Sequence, residues 1–100
     1  MKAKKIILKS VNVDLLDIVT WYNKIDRKLS VMFLKEFKEK VNYISKNPKA
    51  CEKKYDDTRI AYLKKFPYSI HYIYEELENR IIIYSVFHTS RNPEDWSERK

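Results

Sequence analysis

The chain has 100 residues, with 21 Lys and Arg against 14 Asp and Glu, a formal net charge of +7 and a pI near 9.4. It contains no glycine, which excludes a glycine-rich phosphate loop, a G-x-G-x-x-G dinucleotide turn and a nucleophile elbow. With 44% hydrophobic and 14% aromatic residues, residues 1–100 are expected to fold as one domain around one modest core rather than to stay disordered.

Lys4 to Lys9 reads as a short strand around Ile6, Ile7 and Leu8. Ser10 or Asn12 can cap the helix that follows, with Asp14 in its first turn. Leu15, Ile18, Val19, Tyr22 and Ile25 then recur at helical spacing and form one apolar stripe. Asp26 can cap a second helix, striped by Leu29, Phe33, Phe37, Val41 and Ile44 and stopped at Asn47-Pro48. So short a junction makes the pair a helical hairpin. Residues 48–58 read as loop, after which the period changes to two. Arg59 to Lys65 alternates Ile60 and Tyr62 against Ala61 and Leu63, and Phe66-Pro67-Tyr68 turns the chain. Ser69 to Glu75 alternates again, Glu76 to Asn79 forms a hairpin loop, and Arg80 to His88 is apolar on both faces, as a central strand would be. Asn79 is the residue expected at positive φ in that loop. The tail after Pro93 is expected to form one short helix. The order β-α-α-β-β-β predicts an α+β fold, with an N-terminal strand and a helical hairpin packed on one face of a small, mainly antiparallel sheet.

Cys51 is the only cysteine, so no intrachain disulfide and no cysteine-rich zinc site can form. The two histidines lie far apart without an H-x-x-x-H pair, and no metal or cofactor is expected. The N-terminal apolar run is too short for a signal peptide, and no segment approaches the ~18 apolar residues of a membrane span. A soluble, cytoplasmic protein is expected.

Few groups remain that could carry chemistry. Arg59 opens the meander, His88 ends its last strand, and Arg91 follows; the sheet is expected to gather the three at one rim. Lys64 and Lys65 are expected beside His71. Metal-free RNA cleavage needs a base, an acid and cations around a crowded phosphorane, which His and Arg can supply. Each residue also has a plain structural reading: a hydrogen-bonded strand-end His88, a core His71, a Trp96 that anchors the tail. The positive charge favours a polyanionic or acidic partner, or simply a solvated surface. Residues 1–57 hold 14 basic and 8 acidic side chains, whereas residues 58–100 hold 7 and 6, so the excess lies outside the meander.

Taken in order, Asp14-Leu15…Ile18…Trp21-Tyr22, Phe33-Leu34…Glu36-Phe37…Ile44…Asn47-Pro48, Arg59…Leu63…Phe66-Pro67-Tyr68-Ser69-Ile70…Tyr72 and Val86…His88…Arg91-Asn92-Pro93…Trp96 resemble the RelE/ParE toxin superfamily, in particular the branch described as plasmid stabilisation system proteins. The resemblance covers nearly the whole chain. It implies a helical hairpin on a small antiparallel sheet and a growth-inhibiting toxin of a type II toxin–antitoxin system. The toxin would be held in a hetero-oligomer with a cognate antitoxin. It implies one of two targets: DNA gyrase, bound without RNA cleavage, or mRNA on the ribosome, cut by metal-independent 2′-OH attack. In the cleaving branch Arg59, His88 and Arg91 would be the catalytic candidates, and Lys64, Lys65 and Trp96 the target contacts. Trp96 stands where some cleaving members carry tyrosine, and the strands show no second basic cluster. The incomplete cleaving set tips the expectation towards gyrase-directed action, with a ribosome-associated endoribonuclease and a non-toxic binding module as alternatives.

Overall fold

The computed structural model describes residues 2–90. Its elements are β1 (Lys4–Ile7), α1 (Lys9–Ile25), α2 (Arg27–Lys46), β2 (Lys53–Tyr55), β3 (Thr58–Tyr62), β4 (Tyr68–Glu75) and β5 (Arg80–His88). The strands form one sheet in the order β1-β5-β4-β3-β2. β1 runs parallel to β5 and every other pair is antiparallel. The two helices pack on the sheet, giving the expected α+β architecture, and the doubly apolar β5 is a central strand. One element was not foreseen. The stretch read as a loop contains β2, a three-residue strand that turns back through Asp56 onto β3. Its sequence, Lys53-Lys54-Tyr55, is too short and too charged to show a period of two. β3 is correspondingly shorter than the alternation suggested and ends at Tyr62.

Asp26 alone separates the helices and serves both. Its amide donates to the Tyr22 carbonyl (2.8 Å) to close α1, and its carboxylate accepts from the Lys28 amide (2.9 Å) to open α2. The start of α1 differs from the expected cap. The helix begins at Lys9, after Leu8, with no side-chain cap; it starts ahead of both candidate caps, and Ser10 is bonded elsewhere. β1 pairs with β5 only as far as Ile83. Beyond that, Ser10 Oγ donates to the Tyr84 carbonyl (3.2 Å), and the Asp14 carboxylate accepts from the Val86 amide (3.2 Å). Side chains of α1 thus continue the ladder where β1 has run out, meeting backbone groups that would otherwise be left unpaired.

The core lies between hairpin and sheet. Val11, Ile18, Phe33, Phe37, Val41 and Ile44 meet Ala61, Ile70, Tyr72, Ile81, Ile83 and Val86. Phe33, fully buried, sits at the centre of an aromatic cluster, 5.5 Å from the rings of both Phe66 and Tyr68. Burial of such a side chain contributes about 2–3 kcal/mol. The α1 stripe stops short of its sequence pattern: Ile25, at the hairpin tip, is exposed.

Among the described residues, two turns require positive φ in a chain without glycine. Asn79 takes φ 47°, as expected, and Asp56 does the same between β2 and β3. Asn and Asp tolerate this region better than other non-glycine residues. Asn79 is also a junction. Its carbonyl accepts from the Lys4 amide (2.9 Å) and its side-chain oxygen from the Tyr74 hydroxyl (2.9 Å).

Candidate functional site

The register decides which candidates meet. Arg59 pairs with Tyr72, and His88 pairs with Tyr68. These partners are four residues apart on β4, roughly 13 Å at the usual strand rise. Arg59 and His88 therefore lie towards opposite ends of the sheet, and the expected common rim does not form. Lys64 and Lys65 are not beside His71 either, since His71 pairs with Ile60. Both lysines lie in the β3–β4 turn, where their amides donate to the Glu36 carboxylate of α2 (2.8 Å for Lys64, 3.2 Å for Lys65). That bond docks the turn on the helix and leaves both side chains at the exposed surface. Arg91 and Trp96, like the expected tail helix, lie outside the described residues.

Arg59 is half-buried and its guanidinium donates to the Cys51 carbonyl at 2.6 Å. Tyr72 donates to the Pro48 carbonyl at 3.0 Å. The two side chains come from paired strands and tie down the segment between α2 and β2. The bond to Cys51 directs Arg59 to the protein's own backbone.

His88 is exposed at the end of β5. Its Nδ1 accepts from the Ser90 amide (3.1 Å) and lies 2.8 Å from the Ser90 hydroxyl. An amide can only donate, so the neutral ring carries its proton on Nε2. Beside it is a cleft of about 220 Å³ lined by Asp14, Asp17, Ile18, Tyr68 and His88 among others, with the Tyr68 ring edge-on at 5.2 Å. This arrangement offers a hydrogen-bond donor beside an acidic and aromatic wall. Nδ1, which would have to accept a proton from a substrate, is already engaged.

The second face of the sheet holds a polar cluster that sequence reading recognised only in His71. A register shift between His71 and Tyr72 leaves Tyr84 as an extra residue in β5, a bulge that sends Tyr84 and Ser85 to the same side. The Tyr84 hydroxyl bonds to Thr58 Oγ1 and lies 2.7 Å from the Tyr55 hydroxyl, which is 3.0 Å from His71 Nδ1. Ser69 Oγ lies 3.2 Å from His71 Nε2. A Ser beside a His invites a nucleophilic reading, but both are buried. Burial pushes His71 down to about 4 and pushes the Tyr55 phenol up. The cluster is thus a neutral hydrogen-bonded network near neutral pH, without an activated nucleophile. Ser85 Oγ is buried in it without a partner among the described residues. An even count of residues along β5 could not have revealed the bulge, and so could not have placed Tyr84 here.

Among the described residues, no group of three or more His, Cys, Asp or Glu side chains could hold a metal ion, and no helix is long and apolar enough to cross a membrane. A family model described as "ParE toxin of type II toxin-antitoxin system, parDE" matches residues 6–93. No curated protein matches the chain.

Proposed function

The chain belongs to the ParE toxin family of type II toxin–antitoxin systems, and from that premise we propose that it arrests bacterial growth by binding DNA gyrase rather than by cutting RNA. The observation that supports this reading is the dispersal of the candidate catalytic groups. Arg59 is bonded to the Cys51 carbonyl, and His88 lies about 13 Å away along the sheet with Nδ1 bonded. A metal-free ribonuclease needs its base, acid and phosphate clamp around one phosphate. A protein that acts by binding needs only a surface. Lys64, Lys65 and the donor on His88 are the target contacts in this reading. A cognate antitoxin with an acidic, amphipathic segment holds the toxin in the cytoplasm in an inactive hetero-oligomer, as the net charge of +7 favours.

The test is to express the chain in bacteria without an antitoxin, map RNA 5′ ends and assay purified gyrase. Trapped gyrase–DNA cleavage complexes with intact message are expected. New 5′ ends within codons of ribosome-bound message, with gyrase unaffected, would overturn the proposal in favour of the endoribonuclease. Unimpeded growth at high expression, from a chain that still binds its antitoxin when the two are co-expressed, would leave a binding module.

A further inference from the structure

The face of the sheet turned away from the helices is dry. The helical hairpin covers the other face, which carries Ala61, Ile70, Tyr72, Ile81, Ile83 and Val86. A sheet packed on one side only leaves its second face to water. Here Thr58, Ile60, Ser69, His71, Ser85 and Phe87 on that second face are each no more than 3% exposed. Tyr55 reaches in from β2 to His71 and Tyr84, which accounts for one end of this dry belt. Ser69 and Phe87 pair with each other at its other end. Ser69 lies four residues along β4 from Ile73, the residue opposite Thr58, roughly 13 Å away. The belt is narrower than the sheet: Tyr62, next on the same face of β3, is 49% exposed, and Ile73 and Ile82 are half-buried. These side chains are dry within a single chain, so what covers them belongs to this chain and not to a partner.

We infer that the C-terminal segment, residues 91–100, crosses this face as a strap and seats Trp96 over His71 and Phe87. The segment leaves from the right place. β5 ends at His88, the Thr89 amide donates to the Pro67 carbonyl (2.9 Å), and the Ser90 amide returns to His88 Nδ1 (3.1 Å), so the chain turns immediately beyond Phe87. The segment is also long enough. From β5 to Ile60 on β3 is two strand spacings, roughly 10 Å, and ten residues reach about 33 Å extended or about 15 Å as a helix. Trp96 is its one large apolar side chain. An indole suits such a seat, because its ring can pack against the edge-on pair of His71 and Phe87 (4.9 Å). Glu94, Asp95 and Glu98 offset Arg91, Arg99 and Lys100, so the segment can lie on a chain of net charge +7 without repulsion. A seated strap closes the His71 network to any ligand or target. The surfaces then left for a target are the hairpin, the β3–β4 turn and the cleft beside His88. This closure is independent of which target the toxin binds.

The test uses the full chain. Trp21 and Trp96 are its two tryptophans, and Trp21 is exposed. Acrylamide should quench Trp96 in W21F at least threefold less than it quenches Trp21 in W96F. Nuclear Overhauser contacts are expected from the Trp96 indole to the Phe87 and His71 rings, at intensities that do not change on dilution. In W96A, diethyl pyrocarbonate should modify His71 at least tenfold faster than in the wild type, with the exposed His88 unchanged. If W96A fails to fold, the quenching in W21F and the Overhauser contacts of the wild type decide. Quenching of Trp96 as free as that of Trp21, without contacts to Phe87 or His71, would overturn the inference. Contacts from Trp96 to Tyr68 and Asp17 would also overturn it, by placing the segment in the cleft beside His88. So would contacts seen only between differently labelled copies, which would make a second chain the donor of the strap.

Discussion

Acidification should destabilise this protein through His71. The ring is fully buried between Tyr55, Tyr84 and Phe87, with Phe87 edge-on at 4.9 Å. Removal from water penalises the charged form, lowering the group from 6.5 to about 4. The unfolded chain therefore binds a proton at higher pH than the folded chain does, and stability rises with pH between the two values. The contribution is fully present above pH ~6.5 and lost as pH falls towards about 4. Some 2.5 pKa units at about 1.4 kcal/mol each give a loss of roughly 3 kcal/mol, a large share of a small domain's stability. Glu76 is paired with Lys49 and held below the usual carboxylate range, which adds a slope of the same sign that is common to the wild type and the variant below. Urea unfolding at pH 7 and at successive values down to 4.5 measures the slope. In His71→Asn the amide can still bond to Tyr55 but cannot titrate, so the variant should be less stable at neutral pH and nearly flat over the same range. A flat wild-type profile, or an equal slope in His71→Asn, would refute the reasoning.

Three further outcomes are expected. Asn79→Ala should cost about 1–2 kcal/mol in thermal unfolding because alanine is strained at φ 47°, whereas Asn79→Gly should lose less, keeping the turn but not the bond from Tyr74. Arg59→Ala should cost about 1.5–3 kcal/mol by removing the charged hydrogen bond to the Cys51 carbonyl, and limited proteolysis should then cut within residues 47–52 first. Phe33→Ala should cost about 3–5 kcal/mol, read by urea unfolding, because a fully buried ring leaves a cavity among Tyr22, Phe66 and Tyr68.

The elements were legible where periodicity was long. The α2 stripe Phe33, Phe37, Val41 and Ile44 is buried as its spacing demands, and the alternation of β4 and the apolar run of β5 fixed a central strand. What escaped was set by tertiary demand. Ser10 and Asp14 look like helix-start residues, yet the part of β5 beyond the reach of β1 draws them across. Arg59 and His88 looked like one site because both open or close a strand; their separation follows from register, which no local pattern encodes. The Tyr84 bulge is a single extra residue in an even run, and it rewires which hydroxyls meet His71. Asn79 was readable because a hairpin without glycine leaves few residues able to take positive φ.

The place of β5 has a consequence for synthesis. The last strand in chain order sits between the first and the rest of the meander, so β1 waits for residues about 76 positions downstream. Until Arg80–His88 is available, β1 has no ladder, α1 has no backbone to bridge through Ser10 and Asp14, and β4 lacks its larger partner. Such long-range pairing must form late. A nascent chain therefore gains its finished sheet in one step once Arg80–His88 is available, rather than piece by piece. A toxin built this way presents no partly finished sheet to a partner before that strand joins.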